Sequence, residues 1–149
     1  MSINEEVDLL RKIPLFAKIE ASKLKLLAFT SERLTFASGQ ELFRQGDVGD
    51  KAYIIIDGTA EVLVDSPTGE LAVATLGKND LVGEIAILID VPRTATVRVT
   101  EEVTTLAISK DQFFRMIGEY PDMAIEIMRE LAIRLERTTA QLRAAMAGS

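Results

Sequence analysis

The spacing of apolar residues divides the chain into three stretches of different period. Over 1–32, Val7, Leu9 and Leu10, then Leu24, Leu26, Leu27 and Phe29, recur at mixed helical spacing. They predict short helices, interrupted at Pro14. Over 33–109 the pattern changes to short runs rich in β-branched residues: ELF, AYIII, AEVLV, ELAVATL, TATVRV and VTTLAI. Gly39, Gly46, Gly49, Gly58, Gly69 and Gly77 punctuate them. Asp57-Gly58, between AYIII and AEVLV, predicts a tight hairpin, because glycine accepts the positive φ of such a turn. Ser66-Pro67-Thr68-Gly69 predicts another. Strands this short and numerous point to a small antiparallel barrel, roll or sandwich.

Helical spacing returns over 110–146. Ser109 and Gln112 form an S-x-x-Q capping box opening a short helix that ends near Gly118. Pro121 then starts a long helix running to about Met146. Along it Met128, Leu131, Leu135, Thr138, Leu142 and Ala145 alternate three and four apart, while Asp122, Arg129, Glu136 and Arg143 repeat every seven on another face. That is a coiled-coil seam sustained for about two and a half heptads, and it predicts a homodimer through 121–146.

Composition narrows what such a fold does. The 149 residues suit one domain, 1–149, and 48 % hydrophobic with 27 % charged residues is a foldable balance. There is no cysteine and no histidine. Disulfide scaffolds, thiol catalysis, histidine general bases and the commonest zinc or iron sites are thereby excluded, and no carboxylate cluster of calcium-loop type appears. No metal and no enzymatic activity are expected. The net charge is −6 and no local basic patch stands out, so no direct nucleic acid partner is expected. No apolar stretch approaches a membrane span and the N-terminus lacks a secretory core, which predicts a cytoplasmic chain with no membrane partner.

The chemistry gathers at 81–97. Glu84 is the only charge in Leu81-Val82-Gly83-Glu84-Ile85-Ala86-Ile87-Leu88-Ile89, and a carboxylate among such neighbours needs a fixed partner. Gly83 permits an unusual dihedral before a short helix that Pro92 stops, and the free N–H groups of that helix's first turn favour an anion. Arg93 offers a guanidinium suited to paired hydrogen bonds with phosphate, and Thr94 adds a hydroxyl and an N–H. Spacing alone leaves two readings open: Glu84 and Arg93 close a loop as an ion pair, or they grip a sugar hydroxyl and a phosphate.

At this point the chain resembles the cyclic-nucleotide-binding domain family over nearly its whole length. The glycine-spaced roll of that family matches Gly39 to Gly58, and its phosphate cassette, F-G-E-[LIV]-A-L followed by P-R-[AST]-A-T-V, matches 82–87 and 92–97, with Val82 in place of the usual aromatic. The resemblance implies a mainly β, α+β fold: an antiparallel β-roll, or jelly-roll-like barrel, with N-terminal helices and a long C-terminal helix. It implies that Glu84 accepts from a ribose 2′-hydroxyl and Arg93 pairs with a cyclic phosphate. The amides of Ile85 and Ala86, with Gly83 and Thr94, complete the cradle, and Val62 and Val73 stand beside the base or serve as ordinary core.

The terminal helix also resembles the dimer helix of bacterial catabolite-activator-type regulators, which puts Thr138 and Thr139 at an adenine. Thr138 in an apolar seam is otherwise a register device. Arg134 flanks the seam, where pairing with Glu130 at i,i+4 is the plainer account and approach to the ligand the other. In related eukaryotic domains a threonine at the position of Thr94 is linked to cGMP, and the same position can equally be a phosphate contact; cAMP is favoured, with cGMP as the alternative. The expected function is a regulatory sensor that converts ligand binding into movement of its C-terminal helix, acting on an unknown effector protein. The competing readings are a non-binding interaction domain on the same fold, and a histidine-dependent enzyme of cupin type, which the composition disfavours. Only three residues follow Met146, too few for a recognition helix, so the chain is either a stand-alone sensor or one piece of a larger regulator or channel. Met1 with no linker before it favours an intact N-terminus.

Overall fold

A computed structural model describes residues 2–13 and 16–148. Pro14, read above as the break between the first helices, lies outside the described residues. The element order is α1 (Ile3–Arg11), α2 (Ala21–Thr30), β1 (Glu32–Phe36), β2 (Glu41–Phe43), β3 (Lys51–Ser66), β4 (Gly69–Leu76), β5 (Leu81–Val82), α3 (Glu84–Leu88), β6 (Thr96–Ser109), α4 (Lys110–Glu119) and α5 (Pro121–Ala147). Among the described residues the six strands form one antiparallel sheet in the order β1-β6-β3-β4, with β2 on β6 and β5 on β3. The sheet does not close.

The long pair β3–β6 is its spine, in register from Lys51↔Ser109 to Leu63↔Thr96. One expected reversal is absent. AYIII and AEVLV belong to a single strand, and so do TATVRV, from Thr96 on, and VTTLAI. Asp57-Gly58 lies at a bulge, where the two-residue step from Asp57 to Thr59 on β3 faces the three-residue step from Thr104 to Glu101 on β6. Gly58 has φ +95°, and a Cβ there would overlap the Glu102 carbonyl. The glycine serves a close strand approach, not a turn. The Ser66–Gly69 hairpin forms as expected, with Ser66 facing Gly69.

β3 also explains why AYIII is apolar without alternation. Tyr53 and Ile55 face a roll interior with Leu42, Val82, Val97, Val99 and Val103. Ala52, Ile54 and Ile56 face outward beneath the helices, against Leu10, Leu24, Phe113, Met123 and Ile127. Both faces are buried, so both parities must be apolar.

The helices obey their local signals. Ser109 caps α4 by accepting from the Gln112 amide at 3.2 Å, but the reciprocal half of the capping box does not form. Ser109 is still in register with Lys51, and the Gln112 side chain instead donates to Thr30 on α2. Pro121 opens α5, whose first turns dock through buried Met123 and Ile127. Beyond them Leu131 is partly buried against the core and Arg134 reaches Glu84, while Met128, Leu135 and Leu142 are exposed. No helix among the described residues is long and apolar enough to cross a membrane.

Candidate functional site

Gly83 adopts φ +87° as N-cap of α3, turning the chain from β5 into a helix of five residues that presents Glu84, Ile85 and Ala86. A Cβ on Gly83 would lie 2.5 Å from Arg93 Nη1 and 3.2 Å from Phe43 Cε2, so only glycine fits. Gly49 is equally constrained from another side. Its Cβ would lie 2.5 Å from Ala86 Cβ and 3.2 Å from both Cζ and Nε of Arg93. Two glycines thus open room for one guanidinium.

Arg93 is 3 % exposed. Its backbone is fixed to the preceding loop, with its amide donating to Asp47 O and its carbonyl accepting from Gly46 N, each at 2.8 Å. Nη1 donates to Gly83 O at 2.8 Å and Nη2 to Lys51 O at 2.6 Å, and the guanidinium lies 4.0 Å over the Phe43 ring. Nε is buried and has no partner. Burial pushes the guanidinium below its ordinary pKa, opposed by Tyr53, Asp50, Asp47 and Glu84. A guanidinium nevertheless stays charged at neutral pH. Here a buried cation is held by two carbonyls and a ring, with no carboxylate among the described residues in contact. Two of its five N–H groups are used, and a buried donor left unmatched costs about 1–3 kcal/mol.

Glu84 is 4 % exposed, and it does not pair with Arg93. Its Oε1 accepts from Arg134 Nη1 at 2.6 Å, fifty positions along the chain on α5. The loop-closing ion pair between Glu84 and Arg93 is therefore not made. The helix pairing of Arg134 with Glu130 is likewise replaced by this bridge from α5 to α3.

A cavity of about 280 Å³ joins these groups. Gly83, Glu84, Ile85, Ala86, Arg93, Thr94 and Arg134 line it, and Val62, Ala74 and Leu76 supply an apolar wall. Its size is at the low end of small-molecule sites, roughly 300–1,000 Å³. A second cavity of about 390 Å³ lies against it, and Glu84 and Arg134 line both.

Three expected residues stand outside this cavity within the single chain. Val73 is 54 % exposed and away from the cavity. Ala74 sits opposite Val62, and the register slips between Val62 and Leu63, so the inward parity on β4 falls on Ala74. Thr138 and Thr139 also stay clear of the cavity, and the Thr138 hydroxyl donates back to the Arg134 carbonyl at 2.9 Å. Phe43 and Gly49 went unread as site residues. Phe43 sits in a three-residue strand where it looks like core, and Gly49 was counted only as a strand breaker.

Arg93 and Glu84 thus bring a buried cation and a buried carboxylate to one cavity of an antiparallel roll. Residues 33–120 match the cyclic nucleotide-binding domain, and the chain belongs to that family. It is 29 % identical over 136 residues to the CRP-like cAMP-activated global transcriptional regulator of Mycobacterium tuberculosis, covering 91 % of this chain and 61 % of the relative. It is 35 % identical over 115 residues to the cAMP-dependent protein kinase regulatory subunit of Blastocladiella emersonii, covering 76 % and 28 %. Among solved structures, the Thermus thermophilus catabolite activator protein superposes with a TM-score of 0.78 at 27 % identity, covering 87 % of this chain and 61 % of that one. The chain thus spans less than two thirds of each relative's length.

Proposed function

We propose that this chain is a regulatory sensor domain for a cyclic nucleotide, with cAMP favoured over cGMP, that acts by binding and not by catalysis. The observation that carries the proposal is Arg93: a buried guanidinium with no carboxylate partner and an unmatched Nε, lining the same cavity as a buried carboxylate. A cyclic phosphodiester supplies one negative charge and acceptor oxygens for Arg93, Thr94 and the amides of Ile85 and Ala86. The neighbouring ribose supplies a hydroxyl to donate to Glu84. Val62 and Ala74 offer the base an apolar wall. The cAMP named in the relatives' descriptions supports that choice of base.

The same geometry supplies a route for the signal. Glu84 is already engaged by Arg134, so a ribose hydroxyl arriving at that carboxylate meets a group that ties α5 to the roll. A ligand shifts an equilibrium only by what it gains in one state over another, and here that difference falls on the Arg134 bridge. Movement of α5 is the proposed output, passed to an effector protein in the cytoplasm. The exposed apolar stripe of α5 supports a homodimer, in which Thr138 and Thr139 acquire their role at the base across the interface.

The test is a thermal-shift screen of cyclic nucleotides followed by calorimetry. A cognate ligand at one hundred times its Kd adds about 2.7 kcal/mol of stability. Saturable binding of cAMP that disappears in Arg93→Ala supports the proposal. Absence of binding by every cyclic nucleotide, or binding indifferent to that substitution, overturns it.

A further inference from the structure

We infer that Phe43, which lines the cavity, also positions the ligand's phosphate by acting through the Arg93 guanidinium. The inference rests on the proposed role of Arg93 and adds a residue to it. Phe43 ends β2, a strand of three residues, opposite Val97 on β6. The cassette that carries Arg93 runs directly into that part of β6, so the strand pairing fixes the ring's place beside the cation. The guanidinium carbon lies 4.0 Å from the ring centroid, within the distance at which a cation is held by a π face.

The ring is itself supported. Tyr53 lies 6.1 Å from it at an interplanar angle of 33°, and Phe36 meets Tyr53 edge-on at 6.4 Å. Tyr53 is buried in the roll, so this row of three rings ends on the guanidinium. The other constraints on that group are backbone: Gly83 O, Lys51 O and the close approach of Gly49. Carbonyls fix the ends of the Nη groups but leave rotation about the axis through them open. A ring against the plane removes that freedom. Nη1 and Nη2 each keep a second N–H beside the one already bonded, and the direction of every remaining donor depends on the plane that Phe43 sets.

Calorimetry with cAMP on the full chain compares wild type, Phe43→Leu, Phe43→Tyr, Arg93→Lys and the double variant Phe43→Leu/Arg93→Lys. Phe43→Leu keeps an apolar side chain and loses the π face, and affinity falls roughly 5- to 30-fold. Phe43→Tyr keeps the ring and stays within about 2-fold of wild type. Nitrogen-15 NMR of labelled arginine gives a second readout that a packing role would not move. The Arg93 Nε–H signal is sharp and shifts on ligand addition in wild type and Phe43→Tyr, and is broadened or displaced before ligand in Phe43→Leu.

In the Arg93→Lys background the further loss from Phe43→Leu shrinks to less than about 2-fold, because no guanidinium remains to orient. The inference falls if Phe43→Leu binds like wild type, if its loss persists in full beside Arg93→Lys, or if the Nε–H signal ignores the ring. Where lysine weakens binding beyond measurement, the NMR arm decides. The parent reading fails differently, by Arg93→Lys leaving affinity untouched.

Discussion

The phosphate end of the roll and the outer part of α5 are built on opposite principles. Around Arg93 every group is fixed from several sides: two carbonyls, one ring, two glycines whose Cβ atoms would collide, and a loop bonded to the arginine's own backbone. Beyond Ile127, α5 exposes Met128, Leu135 and Leu142. The first region loses by any change, whereas the second is unfinished until something covers it. Arg134 belongs to both, rooted on the exposed helix with its tip on buried Glu84. The Arg134–Glu84 bridge is therefore the contact through which the proposed sensor role would pass ligand binding to α5.

The largest effect belongs to the cradle. Arg93→Ala removes the cation that the site is arranged around, and ligand affinity falls by about 3–5 kcal/mol, or two to four decades. Calorimetry reads it directly. Gly49→Ala is the next test, because it adds one methyl where a Cβ meets Ala86 at 2.5 Å and the guanidinium at 3.2 Å. Overpacking of this kind costs about 1–3 kcal/mol in stability, measured by urea unfolding, and affinity falls with it. A variant that unfolds and binds like wild type would show the cradle to be far more yielding than drawn.

These two positions also show what was legible in the chain. The cassette is readable because its chemistry is local: a glycine, a carboxylate and an arginine within eleven positions, each of an unusual type for its surroundings. The roll is readable because strand composition and the Ser66–Gly69 turn are local too. Long-range pairing is not written that way. Asp57-Gly58 looks identical whether a strand reverses or bulges, and the difference lies in the Glu102 carbonyl across the ladder. Val73 and Ala74 exchange faces through a one-residue slip that leaves no mark in composition. Arg134 on an exposed helix has a ready i,i+4 partner in Glu130, and only the packing of α5 on α3 shows that it goes to Glu84.

Arg134→Ala tests the bridge between the two regions. It leaves Glu84 buried without its cation, but the arginine is half exposed, so the stability cost is about 1 kcal/mol by urea unfolding, well below that of a fully buried pair. Its sharper consequence is on coupling. In wild type, cAMP changes hydrogen exchange of the α5 amides beyond Ile127, and in Arg134→Ala the same ligand binds and that change is lost. Ligand-dependent exchange surviving intact would mean the signal leaves the roll elsewhere.

A smaller effect separates the roll interior by pH. Burial raises the Tyr53 phenol above its ordinary pKa of 10.0, against the lowering influence of Arg93 and Lys51. The folded state therefore holds this proton more tightly than the unfolded one. The contribution is complete below about pH 10 and declines as pH rises through the folded value. Tyr53→Phe removes that decline, so urea titrations between pH 9 and 11 show a flatter stability curve than wild type.

The smallest change in the chain's own fold comes from the unfinished region, and there the readout is mass. Leu135 and Leu142 are 68 % and 60 % exposed and lie seven apart on the seam of α5. Replacing either with Glu removes no buried contact within one chain, so monomer stability changes by about 0.5 kcal/mol or less. In a homodimer the same positions face their counterparts across a two-fold axis, and a substitution there places two carboxylates against each other. Sedimentation of wild type gives a dimer whose melting temperature rises with protein concentration, while Leu135→Glu sediments as a monomer with no such dependence. A monomeric wild type, or a dimer indifferent to Leu135→Glu, removes the dimer from the proposal. It leaves the Arg93 cradle standing, because a single chain brings Gly83, Glu84 and Arg93 to that cavity.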